Sequence, residues 1–431
     1  MTHKALLAIA ALVFAVLLAR WFEEGDYYDP VRGRHHCAAP PSAIKDWSYT
    51  GRAGQSSDLA NLDRWLQRHP DQMNRLFGAF CRTPLHTAAR FGREDLAERL
   101  IAAGADVRTP DEPGGNTALH LAAQYGHAAV ATVLVARGTD VNAATKHGRT
   151  PLHDAAFGLG GTSDLEGRLA VARLLISHGA NVNARERGSG RTPLDNAASI
   201  SGNRADGEQM TELLLAAGAD ARTADSQGGS SLQLAASQGH VAVVKRLLDG
   251  GADPNATDRD TTALGMAAFQ GRTEVVALLL ARGADANRSV PRSRLESNGV
   301  PLAMAFLSAP GSSTRGGGAR RLQIARMLLD HGAEIDGRDP QGRTVLHGTA
   351  SRGDVSAVEL LLSRRAAIDP ADAMGLTPLH LAVKEGHAAV AELLLSKGAD
   401  VRVRARDGGS ALDFAGHDRE MEQLVRRHAK R

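Results

Sequence analysis

From residue 83 onward, apolar side chains recur at spacings of three and four, as at Val390, Leu393 and Leu394, which marks helices with one apolar stripe. Between these stripes lie shorter blocks built on alanine pairs, Ala88 with Ala89 and Ala122 with Ala123 among them, small enough to let helices approach closely. Glycines close both kinds of block: Gly92, Gly126, Gly239, Gly271, Gly353 and Gly386 after the short ones, and Gly104, Gly138, Gly179 and Gly398 after the long ones. Those are the places for a left-handed residue that ends a helix. No long runs of Val, Ile, Thr and aromatics mark strands. The pattern predicts an all-α chain whose unit is a short helix, a turn, a longer helix and a connecting loop.

One apolar run stands apart. Residues 5–19, ALLAIAALVFAVLLA, are uninterrupted, preceded by Lys4 and followed by Arg20, Trp21 and Phe22. This is the composition of an export or anchoring signal. As a helix the run covers roughly 22 Å, against a bilayer core of about 30 Å; snorkelling by Arg20 and interfacial seating of Trp21 and Phe22 close the gap. Small residues are poorly placed for cleavage, so an uncleaved signal-anchor is expected over residues 1–22, with secretion after cleavage as the alternative. Arg20, Arg32 and Arg34 beyond the span do not favour export, but the short tail and immediate apolar run do. The rest of the chain is expected to be periplasmic or otherwise extracytoplasmic.

Self-comparison shows one motif repeated along the chain. RTPLHTAARFG begins at Arg82, and related segments begin at Asn116, Arg149, Arg191, Ser230, Thr261, Val300, Arg343, Leu376 and Ser410. The spacing is 33 residues from Thr117 to Thr150, from Thr344 to Thr377 and from Thr377 to Ser410. Thr83, Thr150, Thr192 and Thr377 stand where a helix N-cap belongs, each followed by a proline at the first helical position, where a missing N–H costs nothing. A second block ends at Asp106, Asp140, Asn181, Asp220, Asp253, Asp285, Glu334 and Asp400.

These motifs resemble the ankyrin repeat family, whose T-P-L-H-x-A signature and period match Thr83 to Ala88, Thr150 to Ala155 and Thr377 to Ala382. The resemblance implies an all-α ankyrin-repeat solenoid, with helix-turn-helix units joined by β-hairpin-like loops. Nine units would occupy residues 83–409, behind a linker at 23–57 and an N-terminal cap at 58–82, with a polar capping half-repeat at 410–431. Arg365 departs from the pattern by replacing a helix-ending glycine; either it adopts the left-handed conformation or the turn differs. Extra residues near 157–166, 199–207 and 308–319 fall between the two helices of their units.

Composition adds mainly exclusions. With 51 basic and 48 acidic residues the net charge is +3, which gives nucleic-acid binding no electrostatic support. Cys37 and Cys81 are the only cysteines, too few for a zinc site of paired spacing; a disulfide and two unpaired thiols both stay open. His86, His120, His153, His347 and His380 recur at one place in the repeat, and the resemblance implies that they tie helix to loop rather than bind metal. The glycine-rich stretches around Gly188 and Gly316 lack the strand and helix of a phosphate loop. No nucleophile pairs with a base, so no catalysis, cofactor, metal or small-molecule substrate is expected.

What remains is the surface at which units differ. In ankyrin-like proteins the loop tips and the two positions after the alanine pair line a concave binding face. Matched by position, the first helices supply Arg90, Phe91, Gln124, Tyr125, Phe269, Gln270, Arg352, Lys384 and Glu385. The tips supply Lys146, His147, Arg149, Arg191, Arg259, Arg343, Met374 and Leu376, and the long connector 285–299 adds Arg288, Arg292 and Arg294. Phe91, Tyr125 and Phe269 matter most because aromatics are scarce and make good anchors. Further tip arginines, Arg185, Arg187, Arg402, Arg404 and Arg406, suit an acidic partner or plain solvation. The expectation is a membrane-tethered protein that binds a protein partner; the alternative is a protective protein that sequesters a toxic or secreted enzyme.

Overall fold

The structure, a computed structural model, describes residues 56–77, 81–112, 114–157, 164–199, 204–258, 261–288, 290, 300–307, 317–416 and 418–429. The apolar run at 5–19 and the expected anchor lie outside them. Among the described residues no helix is long and apolar enough to cross a membrane. The regular elements are helical, as expected of an all-α chain, with isolated antiparallel bridges such as Phe77 with Arg82 and Arg404 with Ser410.

The chain divides into two compact units, one running to Ser231 with residues 249–251, the other holding residues 232–248 and 252 onward. The first contains α1 (Ser56–Arg68), α2 (Pro84–Arg90), α3 (Glu94–Ala102), α4 (Ala118–Tyr125), α5 (Ala128–Ala136), α6 (Pro151–Phe157), α7 (Leu165–Ser177), α8 (Pro193–Ala198) and α9 (Arg204–Ala216). Here α2, α4, α6 and α8 pack in succession as an inner layer, and α3, α5, α7 and α9 do so as an outer one. In the second unit follow α10 (Ser231–Gln238), α11 (Val241–Asp249), α12 (Ala263–Phe269), α13 (Thr273–Ala281), α14 (Pro301–Phe306) and α15 (Gly317–Asp330). It continues with α16 (Val345–Arg352), α17 (Val355–Ser363), α18 (Pro378–Lys384), α19 (Ala388–Ser396) and α20 (Arg419–Ala429), layered in the same way from α12 to α19.

The local chemistry follows from the repeated letters. Thr83 accepts the His86 N–H at its hydroxyl, and Thr192 and Thr262 do the same for Asp195 and Gly265. The alanine pairs 88–89, 122–123, 155–156, 197–198, 235–236 and 267–268 are buried, which sets the close approach of the inner helices. Arg365 has φ +67°, so the turn after α17 keeps the left-handed form without glycine.

The extra residues between helices are not all loop. α7 and α9 have 13 residues and α15 has 14, against 9 in α3, α5, α13, α17 and α19. Part of each insertion therefore forms an additional helical turn. In the first unit those added turns are joined through Arg168, buried on α7, which donates from Nη2 to Asp206 Oδ2 of α9 at 2.9 Å and from Nη1 to the Ala155 carbonyl at 3.2 Å. Burial pulls the Arg168 guanidinium below its usual range, opposed by the Asp206 carboxylate.

The recurrent histidines hold neighbouring repeats together. Thr83 N–H donates to His86 Nδ1 at 3.2 Å, which leaves the proton on Nε2 to donate to the Asn116 carbonyl of the next repeat at 2.8 Å. His120 reaches the Arg149 carbonyl at 3.1 Å, His153 that of Arg191 at 3.2 Å and His347 that of Leu376 at 3.0 Å. Gln233 stands in the same place and donates from Nε2 to the Thr261 carbonyl at 3.0 Å. Asp195 inverts the arrangement: it accepts from Thr192 N–H at 2.8 Å and from the Ser231 hydroxyl at 2.5 Å. His380 keeps its bond from Thr377, and its ring lies perpendicular to Phe414 with the centroids 5.5 Å apart. Burial pushes His86 and His120 down to about 4 from 6.5.

Candidate functional site

Two surfaces of each unit carry the residues expected to meet a partner: the C-terminal ends of the inner helices and the tips of the hairpin-like loops. On the first unit the inner-helix ends form a polar and aromatic cluster. The Arg90 guanidinium lies 5.9 Å from the Phe91 ring and 5.5 Å from the Tyr125 ring, within cation–π range. Tyr125 stacks on His127 at 6.1 Å with the planes 14° apart, and His127 Nε2 is bonded to the Arg90 carbonyl at 3.0 Å. All four side chains are half-buried, so each is held from below and open above. Phe157, half-buried directly after Ala155 and Ala156, belongs to the same set. It aligns without a gap with Arg90 and Phe269, so the repeat alignment could have found it.

Gln124 is a correction. It is buried at the end of α4, unlike Arg90, Phe157 and Phe269, which hold the same position in their repeats and are half-buried. In the second unit Phe269 is half-buried, and Gln270, Arg352, Lys384 and Glu385 are exposed. A groove of about 610 Å³ runs beside Arg352, lined by Arg321, Leu322, Asp354 and Ser356.

The tips need a second correction. Arg149, Arg191 and Leu376 each precede an N-cap threonine, and their carbonyls are the acceptors of the histidine bonds from the preceding repeat. This makes the position part of the framework. Leu376 is buried with Leu381 and Ala405 against Phe414, so its side chain is core. Arg149 forms an ion pair with the buried Asp154, and Arg343 reaches Asp372 at 3.3 Å. Other tip arginines fold back onto the backbone. Arg338 donates to the Gly342 and Ala371 carbonyls at 2.7 Å each, Arg404 to Gly408 at 2.6 Å, and Arg185 to Ala224.

Lys146, His147, Arg187, Arg288 and Arg406 are exposed, as is Met374, the most exposed large apolar side chain among the described residues at 61%. Arg259, Arg292 and Arg294 lie outside the described residues. Among the described residues no three of His, Cys, Asp and Glu converge to hold a metal ion. Cys81 is buried at the head of the repeats and is disulfide-bonded; the other cysteine of the chain, Cys37, lies outside the described residues.

Comparison with known proteins agrees with the repeat geometry. The family profile described as ankyrin repeats (3 copies) matches residues 56–145, 85–186, 200–290 and 318–405, and a second, ankyrin repeats (many copies), matches 163–215. Neurogenic locus notch homolog protein 1 of Xenopus tropicalis is 32% identical over 171 residues, 40% of this chain and 5% of that protein. Ankyrin repeat and SOCS box protein 16 of Homo sapiens is 34% identical over 184 residues, 41% of this chain and 37% of that protein. Transcription factor SWI6 of Pyricularia oryzae is 27% identical over 47% of this chain. The chain spans 23% of the length of SWI6, and well under two thirds of each of these relatives. The crystal structure of the human ASB11 ankyrin repeat domain overlays with a TM-score of 0.43 at 27% identity, covering 65% of this chain and 98% of that one. With N-cap threonines, alanine-paired inner helices and interrepeat histidine bonds in both units, and profiles matching most of its length, the chain belongs to the ankyrin repeat family.

Proposed function

We propose that this chain is a protein-binding ankyrin-repeat protein, tethered to a membrane through residues 5–22, that engages its partner with inner-helix ends and hairpin tips. Ankyrin repeats are protein-interaction modules, and the observation that carries the reading here is the cluster of Arg90, Phe91, Tyr125 and His127. Aromatic rings and a guanidinium are the side chains that most often dominate an interface, and these are already packed against one another. Little conformational freedom is left to lose on binding. Two supports favour placing the repeats outside the cytoplasm: the apolar run before them and the disulfide at Cys81, since disulfides persist in oxidising compartments.

The test is crosslinked capture of the full-length protein from intact cells, beside a Tyr125→Ala/Phe269→Ala variant. A near-stoichiometric protein that the folded variant loses is the expected result, and its compartment reports the topology. A captured secreted or toxic enzyme would turn the reading toward sequestration. An identical set of captured proteins from both chains, or a variant that has lost its fold, would show that these rings are core.

A further inference from the structure

The tip residues that the fold leaves unused fall together on the first unit. Lys146, His147 and Arg187 are exposed and belong to two consecutive hairpins joined by their backbones: Arg187 N–H donates to the His147 carbonyl at 2.7 Å. Lys146 N–H likewise donates to the Gly114 carbonyl of the hairpin before, at 3.1 Å. Each stem crosses a glycine of the preceding hairpin. A Cβ on Gly115 would stand 3.3 Å from Lys146 Cγ, and one on Gly148 would stand 2.9 Å from Arg187 Cγ. Both glycines have positive φ, +79° and +76°, so the seats exist only because no side chain is there.

Lys146 and Arg187 thus occupy one structural position in successive repeats. Ser226 holds it in the next hairpin, bonded from its N–H to the Ser189 carbonyl at 2.7 Å. Ala373 and Arg406 hold it in the second unit, bonded to Gln341 and Met374 at 2.8 and 2.9 Å. Glu112 holds it in the hairpin before Lys146, bonded to the Cys81 carbonyl at 3.2 Å, so main chain makes the joint every time and Glu, Lys, Arg, Ser or Ala is accepted there. The fold does not use the side chain at this position.

Neighbouring carboxylates keep their charge but turn oxygens onto local hydrogen-bond donors. Asp140 Oδ1 accepts from Asn142 N–H, Glu186 accepts the Ser189 hydroxyl at 2.6 Å, and Asp225 Oδ1 accepts from the N–H groups of Gln227 and Gly229. Glu112 is exposed on the preceding hairpin and bounds the ridge at that end.

We propose that Lys146 and Arg187, with the exposed His147 beside them as a hydrogen-bonding group, form a preorganised cationic ridge that receives an acidic segment of the protein partner. This rests on the protein-binding reading above and names the partner chemistry. Rigidly seated stems lower the ordering cost of pairing with carboxylates, and the exposed charges steer encounter. A net charge of only +3 and a ridge of three side chains suit a short run of Asp and Glu better than a polyphosphate chain, which calls for a longer basic track.

The experiment uses the full chain and three fluorescent probes read by anisotropy at low salt: an oligoglutamate peptide, its oligoglutamine counterpart and a single-stranded oligodeoxynucleotide. Oligoglutamate binding that is salt-sensitive, absent for oligoglutamine and weakened about tenfold by K146E/R187E is expected. The matched reversal R137E/R173E, at exposed outer positions of the same unit, should leave it within about twofold. No binding of oligoglutamate, or equal loss in both reversals with melting curves unchanged, overturns the ridge. Tighter binding of the oligonucleotide overturns it in favour of nucleic acid. If the ridge fails while crosslinked capture still finds a partner lost with Tyr125→Ala/Phe269→Ala, the protein-binding reading stands; failure of both removes both.

Discussion

At the scale of single residues, the histidines set a pH dependence whose sign is fixed. His86 and His120 sit at about 4 in the folded chain and near 6.5 when unfolded, so between these values the unfolded chain binds more protons. Their full stabilisation is present above about pH 6.5, falls as pH drops toward 4, and is lost below it. His127, His153, His347 and His380 are lowered by burial in the same direction. Urea midpoints measured from pH 7 to pH 4 should fall by an amount worth a few kcal/mol for the His86 and His120 pair. Gln233 shows that an amide can make the same interrepeat bond without titrating, so H86Q/H120Q should flatten the profile; an unchanged slope would show that other groups carry it. That these histidines share one place in the repeat was legible in the sequence, and their tying role came from the family resemblance. Their acceptors were not legible, because a carbonyl belongs to every residue, and Arg149, Arg191 and Leu376 therefore resembled free tips.

At the scale of elements, helix starts are written in threonine and proline, and the structure has them where the letters fall. The added turns of α7, α9 and α15 were not legible. Glycine, serine and threonine in those insertions have weak helix propensity, and packing of Arg168 against Ala155 and Asp206 outweighs it in the first unit. Gln124 and Leu376 show the same limit: polarity or a loop address suggests exposure, whereas the neighbouring element decides it. Arg365 is a sharper case. A non-glycine residue at φ +67° costs about 1 kcal/mol, so Arg365→Gly should raise the thermal midpoint by up to a few degrees. A lower midpoint would mean that the arginine side chain or the added freedom of the unfolded chain outweighs the relief of strain.

At the scale of the whole molecule, the second unit closes on α20, whose Met421, Leu424 and Val425 are buried where it packs on α19. Ending the chain at Gly409 should uncover apolar surface and give aggregates on gel filtration; a soluble, fully helical monomer would refute the capping role. The bond made by Asp195 bears on how such an array can change by gain, loss or exchange of repeats. Wherever histidine or glutamine donates to a backbone carbonyl, any repeat can follow, since every repeat offers that carbonyl. Asp195 instead asks its successor for a hydroxyl, which Ser231 provides at the position held by proline in Pro84, Pro151 and Pro378. A repeat beginning in Thr-Pro placed after Asp195 would leave a buried carboxylate oxygen without its donor. The histidine joints thus ask only for a neighbouring carbonyl, whereas this one ties the sequence of one repeat to a particular side chain in the next.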